Sequence, residues 1–250
     1  MNNPVFEPHF SAEHTARKIL YLKEQLAQLP KGLILTRHGK TYIRYKNPST
    51  ETSYHEKRID SNEGRMIYDL ICERKKIQDS LDKELIYWNT FYKNVTVPDI
   101  EANIHILPVP TCMTLDYYQN PPDIEDPYKP ETPYIFEGLV LKSRFELIAA
   151  QAFKALGLEF KYDVPIVTQH GDYFMDMVVP VPERGRCVGF EFCGKTDDFK
   201  YMNSNSTKRM AYLSVGLIPN HDVIYVHGGQ SWLPPTREIM NAIIFGVENC

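Results

Sequence analysis

No stretch of this sequence comes near the ~18 consecutive apolar residues that a membrane-spanning helix requires; its unbroken apolar runs are short, such as Leu147 to Ala150. The opening MNNPVFEPHF lacks the basic-then-apolar pattern of a secretory signal. The five cysteines, Cys72, Cys112, Cys187, Cys193 and Cys250, are odd in number and include no C-x-x-C pair. That argues against a disulfide framework and a cysteine zinc site. The histidines, His170, His221 and His227 among them, form no H-x-H or H-E-x-x-H pattern, which argues against a histidine zinc site as well. Neither sign of charge dominates: 28 Lys+Arg against 32 Asp+Glu leave a net charge of −4, so the chain as a whole has no strong attraction for phosphate. There is no internal repeat. What remains is an ordinary globular balance, 43% hydrophobic and 24% charged over 250 residues, enough for one sizeable core or two smaller ones. The expectation is a soluble, cytoplasmic protein with no membrane partner.

Charge is segregated along the chain. Residues 1–97 carry a net +4, residues 98–138 a net −7 and residues 139–250 a net −1. Eight of the 18 prolines fall in the acidic middle stretch, where regular structure is not expected to persist. Ile104, Ile106, Leu107 and several tyrosines make it too apolar for a solvated linker, so it reads as a connector laid over a surface. The three parts are thus an N-terminal module (1–97), a Pro-rich connector (98–138) and a C-terminal domain (139–250).

The N-terminal module opens with a predicted helix from Ser11 to Leu29, ended by Pro30 and Gly32. LILTRHGKTYIRY then alternates as two strands about a His38-Gly39 turn. Met66, Ile67, Leu70, Ile71, Ile77, Leu81, Leu85 and Trp88 recur mostly at helical spacing, predicting one long amphipathic helix from Asn62 to Tyr92. Its polar face carries Arg74, Lys75 and Lys76, and the hairpin carries Arg37, Lys40, Arg44 and Lys46. The plain reading of these cations is a solvated surface; the functional one is contact with nucleic-acid phosphates.

From Ser143 the pattern sharpens. Phe145, Ile148, Ala149, Ala152, Phe153 and Leu156 form one apolar stripe closing at Gly157, a core-facing helix. Strands follow at 158–164, 173–179 and 186–193, the last two joined by a turn around 182–185; then a helix at 207–214, a strand at 222–227 and a helix at 236–245. The order is helix, three strands, helix, strand, helix, an α/β (α+β) arrangement around a central mixed sheet.

Two carboxylates sit where carboxylates are costly: Asp176 within FMDMVV and Glu191 within GFEFC. With residues 183 and 184 at the hairpin tip, Asp176 faces Glu191; with 184 and 185 there, it lies diagonal to it. Either register puts both on one side of the sheet. Two such anions repel and are poorly solvated unless a proton or cation intervenes. Oxygen ligands of this kind suit magnesium or manganese.

In that order and with those connections, the helix with Glu146 and the strands with Asp176 and Glu191 resemble the PD-(D/E)XK, or restriction-endonuclease-like, nuclease superfamily. More narrowly, LKSRFELIAAQAF, FKYDVPI, YFMDMVV and FEFCG resemble a group of bacterial and phage proteins that read R-S-K-S-E on the helix, P-D-F on the second strand and W-E-H-F-G on the third. The likeness covers residues 139–228 and, more faintly, LPKGLILTRHGKTYIRY with the long basic helix after it. It implies metal-dependent cleavage of a nucleic-acid phosphodiester, DNA before RNA. Asp176 and Glu191 would hold Mg2+ or Mn2+, and Glu146 would serve as a third acid. A homodimer, or a host or phage protein partner, is compatible with it.

The departures are specific. Met175 stands for the proline before the aspartate, Phe192 for the histidine after the glutamate, and Cys193 for the superfamily's lysine. Such a lysine offsets charge in the transition state. Either another cation serves, with Lys208 first, then Lys195 and Lys142, or the fold is kept without the reaction, as a nucleic-acid- or protein-binding factor. The residues also have structural readings: Ser143 and Glu146 make an S-x-x-E capping box, Cys193 is packing, Lys208 is a helix surface residue, and Tyr162, Tyr173, Tyr201 and Trp232 are core aromatics instead of base-stacking platforms.

Overall fold

The computed structural model describes residues 10–46, 54–95, 108–229 and 232–250. Ile104, Ile106 and Leu107, and the opening residues before Phe10, lie outside them. The chain forms two compact units, one of Ser11–Ile104 and one of the remainder.

In the first unit, the Ser11 hydroxyl accepts the His14 N–H at 3.2 Å and starts α1 (Ala12–Gln28). Ile19, Leu22 and Leu26 follow at steps of three and four and pack with Leu81 of the long helix α2 (Asn62–Phe91). Between the helices, β1 (Lys31–Arg37), β2 (Lys40–Lys46) and β3 (His55–Arg58) form an antiparallel sheet in that order. The turn takes His38 and Gly39 at φ +52° and +70°, the mirror-image geometry that matches strand twist. The strand β3 has no counterpart among the sequence expectations. HEKR carries no apolar alternation, and pairing with β2 alone makes it a strand.

The second unit begins against expectation: the stretch expected to lack regular structure holds a 3-10 turn (Thr111–Met113), α3 (Leu115–Gln119) and β4 (Tyr134–Phe136), which forms a hairpin with β5 (Leu139–Leu141) just beyond it. Prolines flank these pieces, and Glu137 and Gly138, both at positive φ, make the hairpin turn. Met113 and Tyr118 are buried and fasten the stretch to the sheet behind it.

That sheet has the order β6 (Lys161–Thr168), β7 (Gly171–Val181), β8 (Arg186–Cys193), β9 (Val223–His227). β6, β7 and β8 pair antiparallel and β8–β9 parallel. α4 (Arg144–Ala155) and α6 (Thr236–Asn249) pack Phe145, Phe153, Ile239 and Ile243 on one face, against Met177, Phe190 and Val226. α5 (Phe199–Ser214) lays Tyr212 on the other, with Val164, Val178 and Val223. The unit is mixed α/β in the expected element order. No described helix is long and apolar enough to cross a membrane.

Several boundaries moved. β6 starts later than expected and runs through Pro165, which an edge strand tolerates because its missing N–H breaks no ladder bond. β7 extends at both ends. α5 begins at Phe199, well before the expected Thr207, because Asp198 caps it by accepting from the N–H groups of Lys200 and Tyr201, offsetting the weak helix preference of NSNST.

One irregularity bears on function. Tyr162 and Met177, a ladder pair, pack on the α4/α6 side, whereas the next pair, Val164 and Met175, packs on the α5 side. Residues two apart on a strand should share a face. The pleat reverses between them, at Asp163, whose φ is +58°, and at Asp176.

Candidate active site

The β7–β8 ladder runs from Val181↔Arg186 to Met177↔Phe190, around a 3-10 turn (Pro182–Arg184) and Gly185 at φ +67°. This register leads to Asp176 opposite Glu191 at the next step. There the ladder opens, and the Phe192 N–H donates instead to Asp176 Oδ2 at 2.7 Å. β8 is buried along its whole length, so Glu191 is only 3% exposed.

Lys208 and Tyr212, four residues apart on α5 and therefore on one side of it, meet the two acids. Lys208 Nζ donates to Glu191 Oε2 at 2.7 Å and lies 3.9 Å from Asp176 Oδ1; the Tyr212 hydroxyl donates to Glu191 Oε1 at 2.9 Å. Loss of water, followed by the neighbouring charge of Asp176, pushes the Glu191 carboxyl up to about 7 against the pull of Lys208 and Tyr212. For Lys208, burial works toward a lower value, yet Glu191 and Asp176 outweigh it and hold the ammonium above the usual lysine range. Burial, then Glu191, raises Tyr212 well above the ordinary phenol.

Glu146 closes one wall. The Ser143 hydroxyl accepts its N–H at 3.2 Å and donates to Oε1 at 3.0 Å; Oε2 accepts from the Tyr162 hydroxyl at 2.6 Å and the Lys142 N–H at 2.8 Å. The Ser143 half of the capping box therefore forms, while the Glu146 carboxylate reaches the Lys142 N–H instead of that of Ser143; burial and then Asp176 still raise the Glu146 carboxyl. Lys142 also lines the cleft, but its ammonium joins Asp126 and Asp163. Glu146, Asp176, Glu191, Lys208, Tyr201 and the Asp126–Tyr128 stretch surround a cleft of about 370 Å3.

The structure thus brings Asp176, Glu191 and Lys208 together, with Glu146 beside them. Lys195 is exposed and does not line the cleft. Cys193 is buried, its thiol pushed up by burial and accepting from Asn205 Nδ2 at 3.0 Å, a packed group and no nucleophile. Tyr162 positions Glu146, and its hydroxyl is committed there. Tyr212, Asp126 and Asp163 escaped the sequence reading; Tyr212 was findable as the residue one turn beyond Lys208.

The donor chemistry can be tested against a metal. Both Glu191 oxygens and one Asp176 oxygen already have partners, and among the described residues no three His, Cys, Asp or Glu groups converge as a cage. A fully protein-ligated ion does not fit. Two carboxylates are oxygen donors of the kind that magnesium or manganese would take alongside water; in the structure they share one cation, the Lys208 ammonium.

Of the proposed nucleic-acid contacts in the other unit, Lys40, Lys75 and Lys76 are exposed and Arg37 pairs with Glu56 at 3.4 Å. Arg74 donates to the carbonyls of Leu26 and Leu29, so it caps the end of α1, where helix carbonyls lack partners.

A pH effect follows from Glu191. Its folded value near 7 lies above the ordinary 4.5, so the stability it contributes is fully present below about pH 4.5 and is lost as pH rises to about 7. Thermal melts across that window should show wild type losing stability relative to Glu191→Gln. Parallel curves would place the Glu191 proton elsewhere.

No protein-family model matches the chain, and neither a curated protein nor a solved structure proved similar to it.

Proposed function

We propose that the second unit is a restriction-endonuclease-like domain that hydrolyses nucleic-acid phosphodiesters, DNA before RNA, with Mg2+ or Mn2+. One observation carries this reading: Lys208, from α5, stands between Asp176 and Glu191 and supplies the cation that Cys193 cannot.

Asp176 and Glu191 would hold the ion; a bound divalent ion there supplies Lewis acidity toward a phosphate oxygen and a more acidic water. Lys208 then offsets the charge that builds on the phosphoryl oxygens as the bond breaks. Tyr212 orients Glu191 through Oε1, and the Phe192 N–H orients Asp176 through Oδ2. Glu146, fixed by Tyr162, Ser143 and the Lys142 N–H, adds negative potential beside the cleft and steadies the start of α4.

A second reading has its own observation. Glu191 has both oxygens satisfied without an ion, and such a closed site suits a factor that binds nucleic acid or a host or phage protein without cutting. The deciding experiment incubates purified protein with plasmid, linear and single-stranded substrates in magnesium, manganese or chelator, beside Asp176→Asn and Glu191→Gln. Ion-dependent cleavage absent from both variants is expected. Intact substrates under every condition would leave only the second reading.

A further inference from the structure

The 11–104 unit contains a groove of about 870 Å3 between the end of α1, strands β1 and β2, and Tyr54. Lys23, Lys31, Arg44 and Lys46 line it, and among the described lining residues there is no carboxylate. Lys31 and Lys46 stand directly opposite each other in the β1–β2 ladder. The Arg44 guanidinium and the Lys46 ammonium both lie 4.8 Å from the centroid of the Tyr54 ring, which is itself 58% exposed. One ring therefore orders two long side chains, and less rotamer freedom is lost when they meet a ligand. Arg74, locked onto the α1 carbonyls, adds a fixed charge to the wall.

We propose that this groove binds the phosphodiester backbone of a nucleic-acid strand, with phosphates on Lys23, Lys31, Arg44 and Lys46. The choice of nucleic acid among polyanions rests on the nuclease reading of the other unit. Concavity favours a strand over a lipid surface, whose headgroups meet protruding faces. The groove also moves the contact away from the hairpin tip and the helix run: Arg37, Lys40, Lys75 and Lys76 do not line it.

The test uses the full chain in chelator with a short fluorescein-labelled single strand, read by anisotropy. Four phosphate contacts predict a slope of log affinity on log salt of about −3. Lys31→Glu with Lys46→Glu should weaken binding at least about tenfold and flatten that slope by about one to two. Tyr54→Ala should weaken it about threefold, and Lys75→Glu with Lys76→Glu should leave it unchanged. Because the opposed lysines sit within a ladder, Lys23→Ala on α1 serves as the second variant, with circular dichroism confirming folding; it should weaken binding about threefold. Unchanged affinity in the Lys23 and Lys31/Lys46 variants overturns the proposal, as does loss confined to the Lys75/Lys76 variant. Capture of anionic phospholipid vesicles by protein that ignores the strand overturns it too. Groove-dependent binding by protein that never cuts would sink the nuclease reading alone; cutting that is indifferent to the groove variants would sink the groove alone.

Discussion

Lys208→Met is expected, on the proposed nuclease reading, to slow ion-dependent cleavage by ~10²- to 10³-fold, the usual consequence of removing one group that stabilises developing charge. It should also cost about 3 kcal/mol of stability at alkaline pH, because Glu191 would keep its charge with its closest cation gone. The two effects separate with pH. As the medium is acidified, Glu191 takes up a proton and the stability loss shrinks, since a neutral carboxyl needs no counter-ion. Lys208→Arg keeps the charge on a planar, longer group and should recover stability better than rate. Added magnesium should raise the melting temperature of Lys208→Met more than that of wild type, the ion standing in for the ammonium. Cleavage at the wild-type rate in Lys208→Met would remove the lysine from the reaction.

Asp222→Ala is expected to cost about 3 to 5 kcal/mol in urea unfolding. Asp222 is 1% exposed and pairs with Arg186, itself 5% exposed; its other oxygen accepts the Ile218 N–H at 2.7 Å, and His221 Nδ1 lies 3.0 Å away. Truncation strands a buried guanidinium and orphans a backbone donor. Replacing both charges, as Arg186→Met with Asp222→Leu, should cost less than Asp222→Ala alone, because no uncompensated charge remains. The pair also joins the beginning of β8 to the approach to β9, where the Gly189 N–H donates to the Asp222 carbonyl at 2.8 Å. Loosening it should therefore disturb Glu191 further along the same strand. A loss under about 1 kcal/mol would show that the site relaxes to admit water.

Where periodicity ran long, the fold was readable from sequence. α2 and α4 follow their apolar stripes closely, and the His38-Gly39 turn follows from the need for positive φ at two adjacent residues. Asp176 and Glu191 stood out because each interrupts an apolar strand, and the approach of Lys208 was anticipated only as the first of three cations. The rest depended on contacts distant in sequence. β3 has no burial pattern of its own, and β4–β5 was hidden by the surrounding prolines. The pleat reversal at Asp163 arises from one backbone angle that residue type does not dictate. Arg74 looked like part of a basic run until the end of α1 came within reach of it.

The proline in β6 has a consequence for self-association. An exposed outer strand invites another chain to zip onto it through unpaired amides and carbonyls. At Pro165 the amide hydrogen is missing, and the carbonyl accepts the Tyr117 hydroxyl at 2.7 Å. Both attachment points are withdrawn in the middle of that border, so two copies joining sheet to sheet along it would face a gap at the centre of the seam.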